Sequence, residues 1–230
     1  MRPTTLACSI AAFAALAVAW PAAARAQLPA DARFAYSWAT AGGGAVGSTL
    51  AVPAGGSFTL QVFVSQTAGT TDVFAAEAGL FSGGVRATYG NAGVVTVAGV
   101  NDLVYNPAFN DTLSSDPSRA ATATYAEFVG YTDGTVTVAP SAGRVYLGAI
   151  TFQVTGLSGA SGTLTAGTVP NLADLVTGTN GFALDDVTAP ASVTLTVAPV
   201  PEPALCLAAG LLGAVGRRVA RYGVSRSFGR

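Results

Sequence analysis

The stretch GGSFTLQVFVSQT, residues 55–67, decides the fold: Phe58, Leu60, Val62 and Val64 recur at spacing two, with polar or outward positions between them. Successive side chains of an extended chain point to opposite faces, so this spacing describes a strand with one apolar face. A Gly-Gly pair opens it and a polar Ser-Gln-Thr closes it, as expected of a strand bounded by turns.

The same rhythm recurs along the chain. RFAYSWAT (33–40) places Phe34, Tyr36 and Trp38 on one face, YLGAITFQVTG (146–156) does so with Ile150, Phe152 and Val154, and SVTLTV (192–197) with Val193, Leu195 and Val197. Core packing is the expected use of Tyr36 and Trp38, because they share their face with Phe34. No helical period is sustained, and a short turn near Asn171 to Val176 is the only one expected. Gly-rich segments, TAGGGAVG (40–47), FSGGVR (81–86), GNAG (90–93) and SGASG (158–162), punctuate the strands as loops. Gly42 to Gly44 lack the following Gly-Lys-Ser/Thr and helix of a phosphate loop. Within EFVGYTDGTVTVAP (127–140), Asp133-Gly134 suits a two-residue hairpin loop. That turn sets Tyr131 opposite Val136 and Val129 opposite Val138, with Thr132 and Thr135 facing outward. Eight or nine strands at these intervals predict an all-β sandwich.

Both ends of the chain differ from this body. Met1-Arg2, an apolar stretch from Leu6 to Trp20, and PAAARA with Ala24 and Ala26 before Gln27 are the parts of a secretory signal peptide. Cleavage is expected between Ala26 and Gln27, which divides the chain into a signal helix (1–26), a sandwich (27–199) and a C-terminal segment (200–230). From Gln27 to Pro199 there are eleven acidic residues and four arginines, a net charge of −7. An acidic body argues against nucleic-acid binding. Cys8 and Cys206 both lie outside the body, which therefore has no disulfide and no thiol nucleophile.

The C-terminal segment reads VPEPALCLAAGLLGAVGRR (200–218). Ala204 to Gly216 is an uncharged run of thirteen residues, about 20 Å as a helix against a hydrocarbon core of about 30 Å. Arginines at 217, 218, 221, 226 and 230 follow, and such charges resist crossing a membrane. An ordinary tail anchor preceded by a Pro-rich linker has the same order of parts.

Reactive groups are scarce. The chain contains no histidine, which removes the commonest general base and the Ser-His-Asp triad. A carboxylate pair of the glycosidase kind would need Glu77 and Glu127, the body's two glutamates, and each sits in a strand-like alternation that predicts an outward-facing charge. No catalytic residue is assigned. Asn101, Asp102, Asn106, Asn110, Asp111 and Asp116, with Asp185-Asp186, offer oxygen ligands of the kind Ca²⁺ takes. Their spacing is not that of an EF-hand, and Asn and Asp also serve loops; no metal site or cofactor is assigned. Aromatic residues that a core does not explain are candidates for stacking on sugars. Tyr105 and Phe109, in a long loop, are the first choice, among candidates that include Tyr89, Tyr125 and Tyr131.

Two resemblances add to this reading. GGSFTLQVFVSQT, then AAEAGLFSGGVRATYG (75–90), RVYLGAITFQVTG (144–156) and GTLTAG (162–167) are similar to the cohesin-like domains of exported bacterial proteins. That likeness implies a jelly-roll β-sandwich of about nine strands with a role in interaction. Val200, Pro201, Glu202, Pro203, the apolar run and the Arg217-Arg218 pair resemble the PEP-CTERM sorting signal, despite a twelve-residue tail, VARYGVSRSFGR, after the apolar run's first arginines. The second resemblance implies an inner-membrane precursor, held by a short C-terminal hydrophobic helix, that an exosortase recognises at Pro-Glu-Pro and releases to the cell surface or an exopolysaccharide matrix. Together they imply a non-catalytic surface or matrix protein that engages another protein or exopolysaccharide. A carbohydrate-binding module is the alternative, and a tail-anchored, glycan-active hydrolase a weaker one.

Overall fold

The computed structural model describes residues 27–89, 93–109, 119–133, 136–170 and 173–200. Both terminal helices expected from the sequence lie outside these residues. Among the described residues no helix is long and apolar enough to cross a membrane.

The strands are β1 (Arg33–Thr40), β2 (Thr49–Pro53), β3 (Ser57–Ala68), β4 (Leu80–Tyr89), β5 (Val95–Thr96), β6 (Leu103–Tyr105), β7 (Arg119–Ala121), β8 (Tyr125–Tyr131), β9 (Arg144–Val154), β10 (Ser161–Gly167), β11 (Val176–Thr177), β12 (Thr188–Ala189) and β13 (Ala191–Ala198). The first sheet runs β12-β1-β3-β9-β5, with β6 also on β9; the second runs β2-β13-β10-β4-β8-β7, with β11 also on β4. Pairing is antiparallel except for β1 with β12 and β2 with β13. The protein is an all-β sandwich. The strands that the alternation predicts are β1, β3, β9 and β13, while β4 and β10, both inside the second sheet, run through stretches read as Gly-rich loops.

The apolar faces meet as expected. Phe34, Tyr36, Trp38, Leu60, Val62, Val64, Ile150, Phe152, Val154, Val193, Leu195 and Val197 are all buried in one core between the sheets. Phe152 of β9 is its aromatic centre, with ring centroids 5.3 Å from Phe58, 6.4 Å from Trp38 and 6.0 Å from Tyr89 of the opposite sheet. The polar tips of Tyr36 and Trp38 find backbone partners across the sandwich, as burial of such groups favours, whereas the buried Tyr89 hydroxyl has none. Tyr36 Oη donates to the Gly84 carbonyl at 3.2 Å, and Trp38 Nε1 donates to the Ala191 carbonyl at 3.1 Å. Pro190 marks a change of sheet: Ala189 pairs with Ala35 in the first and Ala191 with Ala166 in the second.

Three local expectations are corrected. FSGGVR is not a loop but part of the middle of β4, where glycines are needed for space. A Cβ on Gly130 would lie 2.8 Å from Cβ of Phe109, and one on its partner Gly83 would lie 2.9 Å from Leu147 and closer still to the Phe109 ring.

The pairing expected of an Asp133-Gly134 hairpin, Val129 opposite Val138, does not form. Tyr131 and Val129 of β8 pair with Ser82 and Gly84 of β4, and Val138 bridges Leu80, two residues further along that same strand. Thr132 N–H donates to the Phe81 carbonyl at 2.9 Å, and Thr132 is buried rather than outward. The chain thus leaves β4 and rejoins it in the same direction, because β4 supplies a partner on both sides of the excursion. Residues 134 and 135 lie outside those described.

Helix also falls elsewhere than expected. The single α-helical turn among the described residues is α1 (Val73–Ala76), whose N-cap Asp72 accepts from Ala75 N–H at 3.0 Å. Ala173 to Val176 are not helical, and residues 171 and 172 lie outside the described set.

Candidate functional site

Most of the delivery residues lie beyond what the structure describes: Ala24 and Ala26 before it, and Pro201, Glu202, Pro203, Arg217 and Arg218 after it. Gln27 and Val200 are its first and last residues, both exposed.

Tyr105 and Phe109 part company. Phe109 is 1% exposed and fills the space left by Gly83 and Gly130, so it is a core residue and not a glycan contact. Tyr105 is half-buried beside a groove of about 570 Å³ lined by Asn101, Val104, Pro107 and Arg119. The Arg119 guanidinium lies 5.6 Å from its ring centroid and also donates to the Leu103 carbonyl at 3.3 Å. Tyr89 is buried, while Tyr125 carries the Arg86 guanidinium 4.2 Å above its ring. Tyr131 is half-buried, 6.5 Å from Phe81.

The oxygen-rich stretch behaves as loop chemistry where it is described. Asn106 accepts from Ala108 N–H at 3.0 Å and donates to the Tyr146 carbonyl at 2.8 Å. Asn101 and Asp102 belong to a short 3₁₀ turn. Asn110, Asp111 and Asp116 lie outside the described residues. Among the described residues no three acidic, histidine or cysteine side chains converge.

The carboxylates do not form a catalytic pair. Glu127 faces outward on β8 in an ion pair with Arg86 at 2.6 Å. Glu77 corrects the expectation of an outward charge: it is 3% exposed at the end of α1. Its Oε2 accepts from Thr177 Oγ1 at 3.0 Å and Asn180 N–H at 2.7 Å, while Oε1 accepts from Asn180 Nδ2 at 2.6 Å. Three donors replace its hydration, so it clamps β11 and the following turn onto α1. A second buried acid escaped the sequence reading. Asp174 is fully buried, accepts from Val169 N–H at 2.8 Å and faces Asp185. Burial above all, and then the Asp185 carboxyl beside it, push its pKa up to about 8.

The arrangement best suited to recognition is on the outer face of the first sheet. Phe63 of β3 and Tyr146 of β9 are cross-strand partners with ring centroids 5.3 Å apart, and the Arg144 guanidinium sits 4.0 Å over the Phe63 ring. All three are half-buried, on central strands of the sheet. Phe63 was legible: it holds an outward position in the alternation of 58, 60, 62 and 64. Tyr146 was not. Alternation carried back from Ile150 puts it inside, but the register shifts between Val62 and Phe63, so that Leu147 and Gly148 are both buried and Tyr146 turns outward. The outer face of the second sheet carries threonines, the Arg86–Glu127 ion pair and an aromatic, Tyr125, beneath the same arginine.

The structure thus defines an all-β sandwich module that presents an aromatic and cationic patch on one sheet face. No family model matches the chain, and no curated protein matches it. Among solved structures it is similar to cohesin domains. The solution structure of CaCohA2 from Clostridium acetobutylicum has 19% identity over 72% of this chain and 91% of that one, with a TM-score of 0.46. The third cohesin of ScaC from Acetivibrio cellulolyticus, in complex with the ScaB dockerin, has 14% identity over 72% of this chain and 99% of that one, with a TM-score of 0.45. A type II cohesin domain from the cellulosome of the same organism has 13% identity, covering 70% and 94%, with a TM-score of 0.42.

Proposed function

We propose that the chain is an exported, non-catalytic surface or extracellular-matrix protein whose sandwich engages another protein or exopolysaccharide. In this reading residues 1–26 deliver it, residues 27–199 fold as a cohesin-like module, and residues 200–230 are a PEP-CTERM signal read by an exosortase-type protease. The observation that carries the interaction role is the Phe63–Tyr146–Arg144 cluster. Rigid aromatics and arginine on a flat, well-supported face are the residue types that anchor interfaces. The delivery role is supported by the order of parts at both ends of the sequence.

A comparison of mature mass and cell fraction, in strains with and without the sorting protease, tests delivery. The expected product lacks residues beyond the Pro-Glu-Pro region and lies outside the inner membrane only when the protease is present. An extracellular product that keeps Arg217 and Arg218 refutes the sorting reading, and a cytoplasmic protein refutes export.

A carbohydrate-binding module is the second reading, because aromatic faces also stack on sugar rings. Affinity electrophoresis against exopolysaccharide separates the two: retardation that disappears in Phe63→Ala favours sugar as the ligand.

A further inference from the structure

We propose that the end of the sandwich from which the chain leaves toward its C-terminal apolar run is a membrane-facing surface, seated against lipid headgroups with Leu157 and Val200 as its apolar contacts. The inference rests on the reading of that run as membrane-inserted, and it adds how the folded module stands on the bilayer.

The end in question is built from five joined segments. Val154 N–H donates to the Gly56 carbonyl at 2.8 Å, Thr155 N–H to Val94 at 3.0 Å, Gly159 N–H to Val197 at 2.9 Å and Ala54 N–H to Ala198 at 3.2 Å. These bonds gather the end of β2, the start of β3, the segment before β5, the turn between β9 and β10, and the end of β13 into one surface. Leu157, at the tip of that turn, is 83% exposed, the most exposed large apolar side chain among the described residues, and Val200 is 57% exposed.

Charge is partitioned along the same axis. The body carries a net charge of −7, yet residues 34–71, 87–101, 145–173 and 187–201 contain no Asp, Glu or Arg. Those stretches include every segment of the exit surface. The opposite end, by contrast, carries Asp31, Arg33, Asp72, Arg144, Asp185 and Asp186 around the starts of β1 and β9, α1 and the loop before β12, a net charge of −2.

Tether length makes this partition consequential. Only residues 199–203 separate β13 from the apolar run, and five extended, Pro-rich residues reach about 16 Å. The headgroup layer itself takes up roughly 5–8 Å of that distance. The exit surface is therefore held within about one Debye length, ~10 Å at 0.1 M salt, of the lipid phosphates. An acidic surface there would be repelled by anionic lipid; an uncharged one with protruding Leu157 is not. The acidic end, a sheet's length away, points outward.

The test uses residues 27–230, the chain left once the signal peptide is removed, with Cys206→Ser and one cysteine-linked fluorophore at either Leu157→Cys or Thr70→Cys, reconstituted into phosphatidylethanolamine–phosphatidylglycerol vesicles with a headgroup-borne quencher. Thr70 is exposed at the opposite end, and Leu157 is too exposed for its replacement to disturb folding. Several-fold stronger quenching at position 157 than at position 70 is expected. Equal quenching in vesicle-bound protein overturns the orientation alone, whereas failure of the chain to float with the vesicles overturns the membrane-insertion reading and the orientation with it.

Discussion

Asp174 and Asp185 meet inside the protein: the Asp174 N–H donates to Oδ1 of Asp185 at 3.2 Å, and the buried Oδ1 of Asp174 and Oδ2 of Asp185 have no partner while both groups are ionised. Protonated Asp174 can instead donate to its neighbour. With a folded-state pKa of about 8 against an ordinary value near 4, the folded protein holds this proton where the unfolded chain has released it. The raised carboxyl stabilises fully below about pH 4, and its contribution falls as pH rises from about 4 to about 8. Melting temperature should therefore decline across pH 5 to 8, and Asp174→Asn should flatten that slope. A wild-type profile that rises over this range would refute the assignment.

Glu77 offers a sharper loss. Glu77→Ala leaves Thr177 Oγ1 and the Asn180 N–H without their acceptor, at an expected cost of about 3 kcal/mol. Urea unfolding should show a lower midpoint with an unchanged slope.

Phe109 and Tyr105 should behave oppositely. Phe109→Ala opens a cavity in the core and should cost about 3–5 kcal/mol, while Gly130→Ala, which drives a methyl into Phe109, should cost about 1–3 kcal/mol. Tyr105→Ala, at a half-exposed edge strand, should shift stability by less than about 1 kcal/mol. Parallel denaturant melts of the three variants check this order.

On the outer face of the first sheet, Phe63→Ala with Tyr146→Ala should leave the melt within a few degrees of wild type yet weaken partner or glycan binding by about 2 kcal/mol or more if this face is the interface. Calorimetry of binding beside thermal melts of the same proteins decides it; a stability loss with binding intact would make the pair merely structural.

Comparison of expectation with structure shows where local information ends. Period-two runs such as Phe58-Leu60-Val62-Val64 named β1, β3, β9 and β13 and their buried faces, because an alternation of side chains needs no distant partner to be read. Asp133-Gly134 misled for the complementary reason: its hairpin chemistry is real, but β4 offers Thr132 and Val138 successive partners, and pairing with a long central strand outweighs a two-residue turn. Gly83-Gly84 read as a loop since the space these glycines leave, for Phe109 beside Gly83 and for Asp174 and Val129 beside Gly84, is needed by residues far along the chain.

From its residues alone this protein is legible as an acidic, histidine-free, all-β body between two apolar ends, since composition and alternation act one segment at a time. Only the folded chain decides that Leu147 adds a residue to β9 and turns Tyr146 outward beside Phe63, that Glu77 and Asp174 are buried, and that the segments meeting at the exit end are all uncharged. Each of those outcomes depends on register between strands far apart in sequence, and register is a property of the pairing, not of either strand.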